Sequence, residues 1–237
     1  MIPMSGVVRR ILAAPAPVLF PDTCALLDLM RDPTREGFFS PDQIEAALRL
    51  LLRVEGRPGT LWLPIAHQVM IERGDDQAGV KGEAETNIRK FEDRVERVQG
   101  LLAAYGLETK AITPTLVASN YPDTASSIVD RYFLAGLHVR NPHGIEAKAY
   151  ARIAANLAPS KRGQQAKDCI VIETYMRLAA QLRAGNFQGK IVFLTTNKND
   201  YSQPMSRGTV HSELAAEFNA VKMTYAVDFR MAEHQLA

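Results

Sequence analysis

Short apolar runs alternate along this chain with longer polar stretches whose apolar residues recur at helical spacing. "PVLFP" at 17–21 is unbroken and apolar, the signature of a strand covered on both faces, and "TCALLDLM" behind it begins a helix. "SPDQIEAALRLLLRVEG" has a serine cap, a proline at the first helical position and an apolar stripe, which predicts a helix. "TLWLP" at 60–64 predicts a second strand, and "IAHQVMIERG" a helix ending near Gly74. "GEAETNIRKFEDRVERVQGLLAAYG" predicts a long amphipathic helix with a charged face. A strand is expected within 107–114, a helix over 123–139, and another over 145–157 with a polar loop after it. "GQQAKDCIVIETYMRLAAQLRAG" is a long helix stopped by glycine. "KIVFLTT" at 190–196 is the clearest strand, followed by a helix in "VHSELAAEFNA", a strand in "VKMTYA" and a closing helix in "DFRMAEHQL".

Strands separated by helices imply an α/β domain with a mainly parallel sheet. Residues 1–16 read as a flexible N-terminal arm, and 17–237 as one domain with a helical insertion at about 80–160. No internal repeat or low-complexity tract interrupts it.

Composition narrows the picture. The 237 residues are 46% hydrophobic and 23% charged, ordinary for a globular chain with a sizeable core. The formal charge is +2, so nucleic-acid binding would depend on local basic clusters. Cys24 and Cys169 belong to no CxxC pair, which fits a reducing, cytoplasmic setting and leaves a Cys24–Cys169 disulfide open. Arg9 and Arg10 precede "ILAAPAPVLF", but Pro15, Pro17 and Asp22 break any signal-like helix, and no apolar run is long enough to span a membrane. The histidines at 67, 138, 143, 211 and 234 have no metalloprotease spacing.

Ligands of open parallel sheets bind at the carboxyl ends of the strands. Asp22 follows the first strand, Glu72 stands on the helix after the second, and Asp200 follows "VFLTTN". Asp168 borders the apolar run "CIVI" on the preceding helix, five residues before Glu173. Carboxylates gathered at one rim raise one another's pKa, and a hard cation such as Mg²⁺ or Mn²⁺ relieves that cost. Three of these acids also have a plainer role: Asp22 suits a helix cap, Asp200 a turn, and Glu72 a solvated helix end.

Three stretches, "VLFPDTCALL", "KDCIVIETY" and "VFLTTNKNDY", together with "LPIAHQVMIE", resemble the motifs of PIN-like nucleases. That resemblance implies a three-layer α/β/α domain with a helical elaboration, larger than the small toxin ribonucleases of toxin–antitoxin pairs. It implies a metal-dependent endoribonuclease, with Asp22, Glu72, Asp168 and Asp200 as the acidic site and Asp22, Asp168 and Asp200 as ligands of Mg or Mn. Thr195 and Asn197 would line the site, and Asn197 stands where many members carry the last acid. Glu173 is an additional acid to consider. The basic residues Lys161, Arg162 and Lys167 before Asp168 suit either an RNA phosphate backbone or a solvated loop; the resemblance is compatible with an antitoxin-like partner and with a homodimer.

A non-catalytic PIN-like module binding RNA or protein is the alternative. Phosphatase and kinase readings lack support: no DxDx[TV] follows the first strand, and "GNFQGK" is too short for a Walker A loop.

Overall fold

Three four-residue apolar strands carry the domain. β1 (Val18–Pro21), β4 (Ile191–Leu194) and β7 (Met223–Ala226) pair in parallel in the order β1–β4–β7. Every residue of β1 and β4 is buried, as the unbroken apolar runs require. The computed structural model describes residues 1–35, 40–56, 60–107, 119–160 and 166–237.

A second parallel pair, β2 (Pro64–Ala66) with β3 (Leu137–Val139), lies beyond β1. Trp62 joins the two pairs: its N–H donates to Pro17 O at 2.9 Å and its carbonyl accepts from Leu19 N at 2.9 Å. The strands therefore follow one another as β3–β2–β1–β4–β7. Sequence periodicity places the second strand at 60–64, whereas only Trp62 of "TLW" bridges β1 and the paired strand starts at Pro64.

The helices are α1 (Met4–Ala13), α2 (Thr23–Asp28), α3 (Pro41–Glu55), α4 (His67–Ala104), α5 (Tyr121–Ala135), α6 (Ile145–Ala154), α7 (Ala166–Ala184), the single turn α8 (Lys198–Tyr201), α9 (Ser212–Ala220) and α10 (Phe229–Leu236). Between α8 and α9, β5 (Ser202–Gln203) and β6 (Ser206–Val210) form an antiparallel hairpin. The chain is thus mixed α/β, mostly helical, with a small parallel sheet.

Three expectations need correction. Residues 1–16 do not form a loose arm: α1 buries Met4, Val7 and Ile11, and Ile2 bridges the edge of β3 at Val139. The two helices expected around Gly74 are one 38-residue helix, α4. Each interior glycine costs about 1 kcal/mol against alanine, but the first half of α4, which contains Gly74, Gly79 and Gly82, is held by tertiary contacts. Arg73 and Gln77 reach Asp130 of α5 at 2.5 and 2.9 Å, and Val80, Ala84 and Ile88 are buried. The helix expected over 123–139 stops at Ala135, and the next residues form β3, so the 80–160 region adds a strand to the sheet as well as helices. The hairpin β5–β6 went unpredicted because its residues are mostly exposed and polar. The strand expected at 107–114 lies, apart from Leu107, outside the described residues.

The core positions the site. Phe20 of β1 stacks on Tyr175 of α7 with ring centroids 4.6 Å apart, and Phe193 of β4 contacts the rings of Tyr175, Tyr201, Phe218 and Tyr225. The buried Tyr175 hydroxyl donates to Pro21 O at 2.7 Å and accepts from Ala66 N at 3.1 Å. One phenol thereby ties the end of β1, where Asp22 begins, to the end of β2, where α4 begins. No helix among the described residues is long and apolar enough to cross a membrane.

Candidate functional site

At the carboxyl ends of β1 and β4 the backbone turns outward and delivers three polar residues in fixed positions. Asp22 caps α2 through Thr23 N at 2.8 Å. Its second oxygen accepts from Thr195 Oγ1 at 2.8 Å and from Cys24 Sγ at 3.0 Å. Thr195 is fully buried, and its hydroxyl also accepts from Asn197 N at 3.1 Å, so one threonine fixes both Asp22 and the turn after β4. The plain reading of Asp22 as a cap is correct, and the same carboxylate also faces a cavity.

That cavity, about 500 Å³, is walled by Asp22, Glu72 and Asp168, with Asn197 at one side. Glu72 is buried; its two oxygens accept from Thr23 Oγ1 and from Gln68 Nε2, the latter at 3.1 Å. Asp168 stands on the first turn of α7, and no described residue donates a hydrogen bond to its carboxylate. Its backbone carbonyl accepts from the Tyr201 hydroxyl at 3.2 Å. Asp200 does not line the cavity; its carboxylate accepts from Asn197 Nδ2 at 2.8 Å and lies near enough for its charge to act on Asp168.

The charges oppose one another. Burial first, then the charges of Asp22, Glu72 and Asp200, push the Asp168 carboxyl up to about 8. Burial also raises Asp22, against the hydrogen bonds from Cys24, Thr195 and Thr23 that favour its ionised form. Glu72 is raised by burial and by Asp22, with Thr23 and Gln68 acting the other way. Cys24 is lifted well above the ordinary thiol range by burial and by Asp22, which keeps it a protonated donor and not a nucleophile. Both cysteines are free, so no disulfide joins them.

Several contributors escaped sequence reasoning. Asp28, at the end of α2, is buried against Arg31 at 2.5 Å and adds to the field on Asp22. Arg31 also reaches the cavity. Asp75, Asp76 and Glu83 extend the acidic wall along α4. They follow Glu72 by three, four and eleven residues, which is one helical face, and that spacing would have revealed them had α4 been read as continuous. Glu173 belongs elsewhere: the 140° that five residues turn around a helix carries it to Arg152, at 2.6 Å, on the far side of α7. Lys161 and Arg162 lie outside the described residues. Lys167 pairs with Asp75 at 3.5 Å on the exposed rim.

The donor set suits a hard divalent cation in chemistry, since every group is an oxygen and their charge is unbalanced. Among the described residues no three His, Cys, Asp or Glu side chains form a ready-made cage. Magnesium does not require one: it binds through one or two carboxylates and keeps several waters. Asp22 and Asp168 fit that mode with Glu72 on the same cavity wall, whereas Asp200, expected as a ligand, does not line the cavity. Compared with known proteins, the chain matches no family model, no curated protein and no solved structure.

Proposed function

We propose that this protein is a Mg²⁺- or Mn²⁺-dependent endoribonuclease of the PIN-like type, with a three-layer α/β/α arrangement. The observation carrying this reading is that Asp22, Glu72 and Asp168, from three different elements, wall one cavity at the carboxyl ends of the strands, where burial and mutual charge raise the Asp168 carboxyl. A plain structural carboxylate would be paired with a cation or hydrogen-bonded. Among the described residues Asp168 has neither, while Asp22 beside it has three donors.

When bound, the cation would lower the pKa of a water and offset charge on the phosphoryl group. The chain's own residues divide the remaining work. Asp22 is preorganised by Thr23 N, Thr195 and Cys24, so it presents a fixed oxygen and pays little reorganisation. Asp168 holds its proton near neutrality and yields it when positive charge arrives. Glu72, clamped by Thr23 and Gln68, is placed to accept a proton from an attacking water. Asn197 offers a neutral amide, oriented by Asp200, to a substrate oxygen.

The test is cleavage of a labelled single-stranded RNA with Mn²⁺. Asp22→Asn and Asp168→Asn should each abolish cleavage while retaining the wild-type circular dichroism spectrum. Full metal-dependent activity in both variants overturns the assignment. Manganese binding without cleavage by the wild-type protein would favour the non-catalytic module, which the absence of a ready-made three-residue cage among the described residues keeps in view.

A further inference from the structure

A second cavity, about 400 Å³, opens beside the acidic one, and Asn197 lines both. Their charges are opposite. The acidic cavity has Arg31 as its lining cation, whereas the second is walled by Arg35, Lys198 and Arg207. Two acids also reach the second cavity, and both are engaged. Asp28 pairs with Arg31 at 2.5 Å, and Asp228 caps α10 by accepting from Met231 N at 2.8 Å. Lys198 and Arg207 form no ion pair among the described residues, so their charge is available to a ligand.

Both cations sit on anchored backbone. Lys198 follows Asn197 directly, and its N–H donates to Thr196 O at 2.8 Å. Arg207 stands on the β5–β6 hairpin, and its carbonyl accepts from Ser202 Oγ at 2.8 Å. Ser202 is buried and also meets the Tyr225 hydroxyl at 2.8 Å, which ties the hairpin to β7. The hairpin is thus anchored to β7 and carries Arg207 at the wall of the second cavity.

We propose that this second cavity seats the phosphate adjacent to the scissile one in a bound RNA strand, gripped by Lys198 and Arg207. The inference rests on reading the acidic cavity as the phosphodiesterase site. A negatively charged backbone is repelled by the acidic wall of α4 without its cation, and a neighbouring cationic seat offsets that repulsion. It also gives the strand a direction, from α4 across Asn197 towards the hairpin. Phosphate contacts of this kind position a strand and carry no sequence information.

The test is fluorescence anisotropy with a labelled single-stranded RNA 12-mer in EDTA, where cleavage cannot occur, across 50–200 mM salt. The Lys198→Gln/Arg207→Gln variant should bind about tenfold more weakly at the lowest salt. Its log–log salt slope should fall by roughly 0.7 for each lost phosphate contact. Lys222→Gln, before β7 at the opposite end of the sheet, is the control and should match the wild type. Failure of the wild-type protein to bind the 12-mer, or an unchanged affinity and slope in the double variant, overturns the phosphate seat. The two readings separate cleanly. Metal-dependent cleavage with an unchanged KM in the double variant removes the seat and leaves the nuclease. Lost binding in the double variant, with no cleavage by the wild type, leaves the seat and removes the nuclease.

Discussion

Asp168→Asn should make the metal-free protein more stable, and more so at pH 8 than at pH 5. In the unfolded chain this carboxyl ionises near 3.8; in the fold it ionises near 8. A group whose folded pKa is raised keeps its proton in the fold while the unfolded chain loses one. Stability therefore falls as pH climbs from about 4 towards 8, and levels off above that. Each pH unit of that span is worth about 1.4 kcal/mol, which sets a ceiling on the order of 6 kcal/mol. Asp168 is only partly buried, and its neighbours relax when one charge is removed, so roughly a third, about 2 kcal/mol, is the expected gain at pH 8. For a chain of this length that is a rise in Tm of about 4–8 °C. Thermal unfolding followed by circular dichroism in EDTA at the two pH values measures it. Adding 10 mM Mg²⁺ should then stabilise the wild type by about 1.4 kcal/mol, taking a Kd near 1 mM, and should do little for the variant. An equal Tm gain at pH 5 and pH 8, or a loss at pH 8, would refute the claim that charge crowding at this rim raises Asp168.

Three further outcomes follow from neighbouring contacts. Binding of Mn²⁺ at pH 7 should release close to one proton, because Asp168 must ionise; calorimetry in two buffers of different ionisation enthalpy reads the number, and zero release contradicts the site. Tyr175→Phe removes the hydroxyl shared by Pro21 O and Ala66 N, and should cost about 1–3 kcal/mol in urea unfolding through the buried groups left without a partner. Glu173→Gln weakens the Arg152 network and should lower stability by about 1–2 kcal/mol; metal-dependent cleavage should stay at the wild-type rate, since Glu173 faces away from the cavity.

What the sequence made legible was whatever depended on burial. β1 and β4 are unbroken apolar runs, legible because a strand covered on both faces has no polar residue to hide, whereas β7 carries the exposed Thr224 and is the weaker pattern. Asp22 and Asp168 were found because each borders such a run. Elements held by side-chain contacts made elsewhere stayed hidden. α4 runs through Gly74, Gly79 and Gly82 because α5 grips it through Asp130 and Asp123, which no local pattern records. β3 is three residues long, and only the first two of them, Leu137 and His138, are partly exposed. Its pairing with β2 depends on backbone groups, which sequence alone does not reveal.

The unequal treatment of Asp22 and Asp168 is the feature on which the proposed function leans most. Had the fold merely tolerated buried carboxylates, each would carry its own donors, as Asp22 does with Thr23 N, Thr195 and Cys24. Among the described residues Asp168 has no such donor, while the charges of three other acids act on it. An undonated carboxyl of this kind is stable only when protonated or when a cation shares the cavity, so it couples the occupancy of the site to its charge state. The same wall that weakens the hold on an RNA strand without the cation would strengthen it with the cation in place, and the cations Lys198 and Arg207 lie on the side where such a strand would leave.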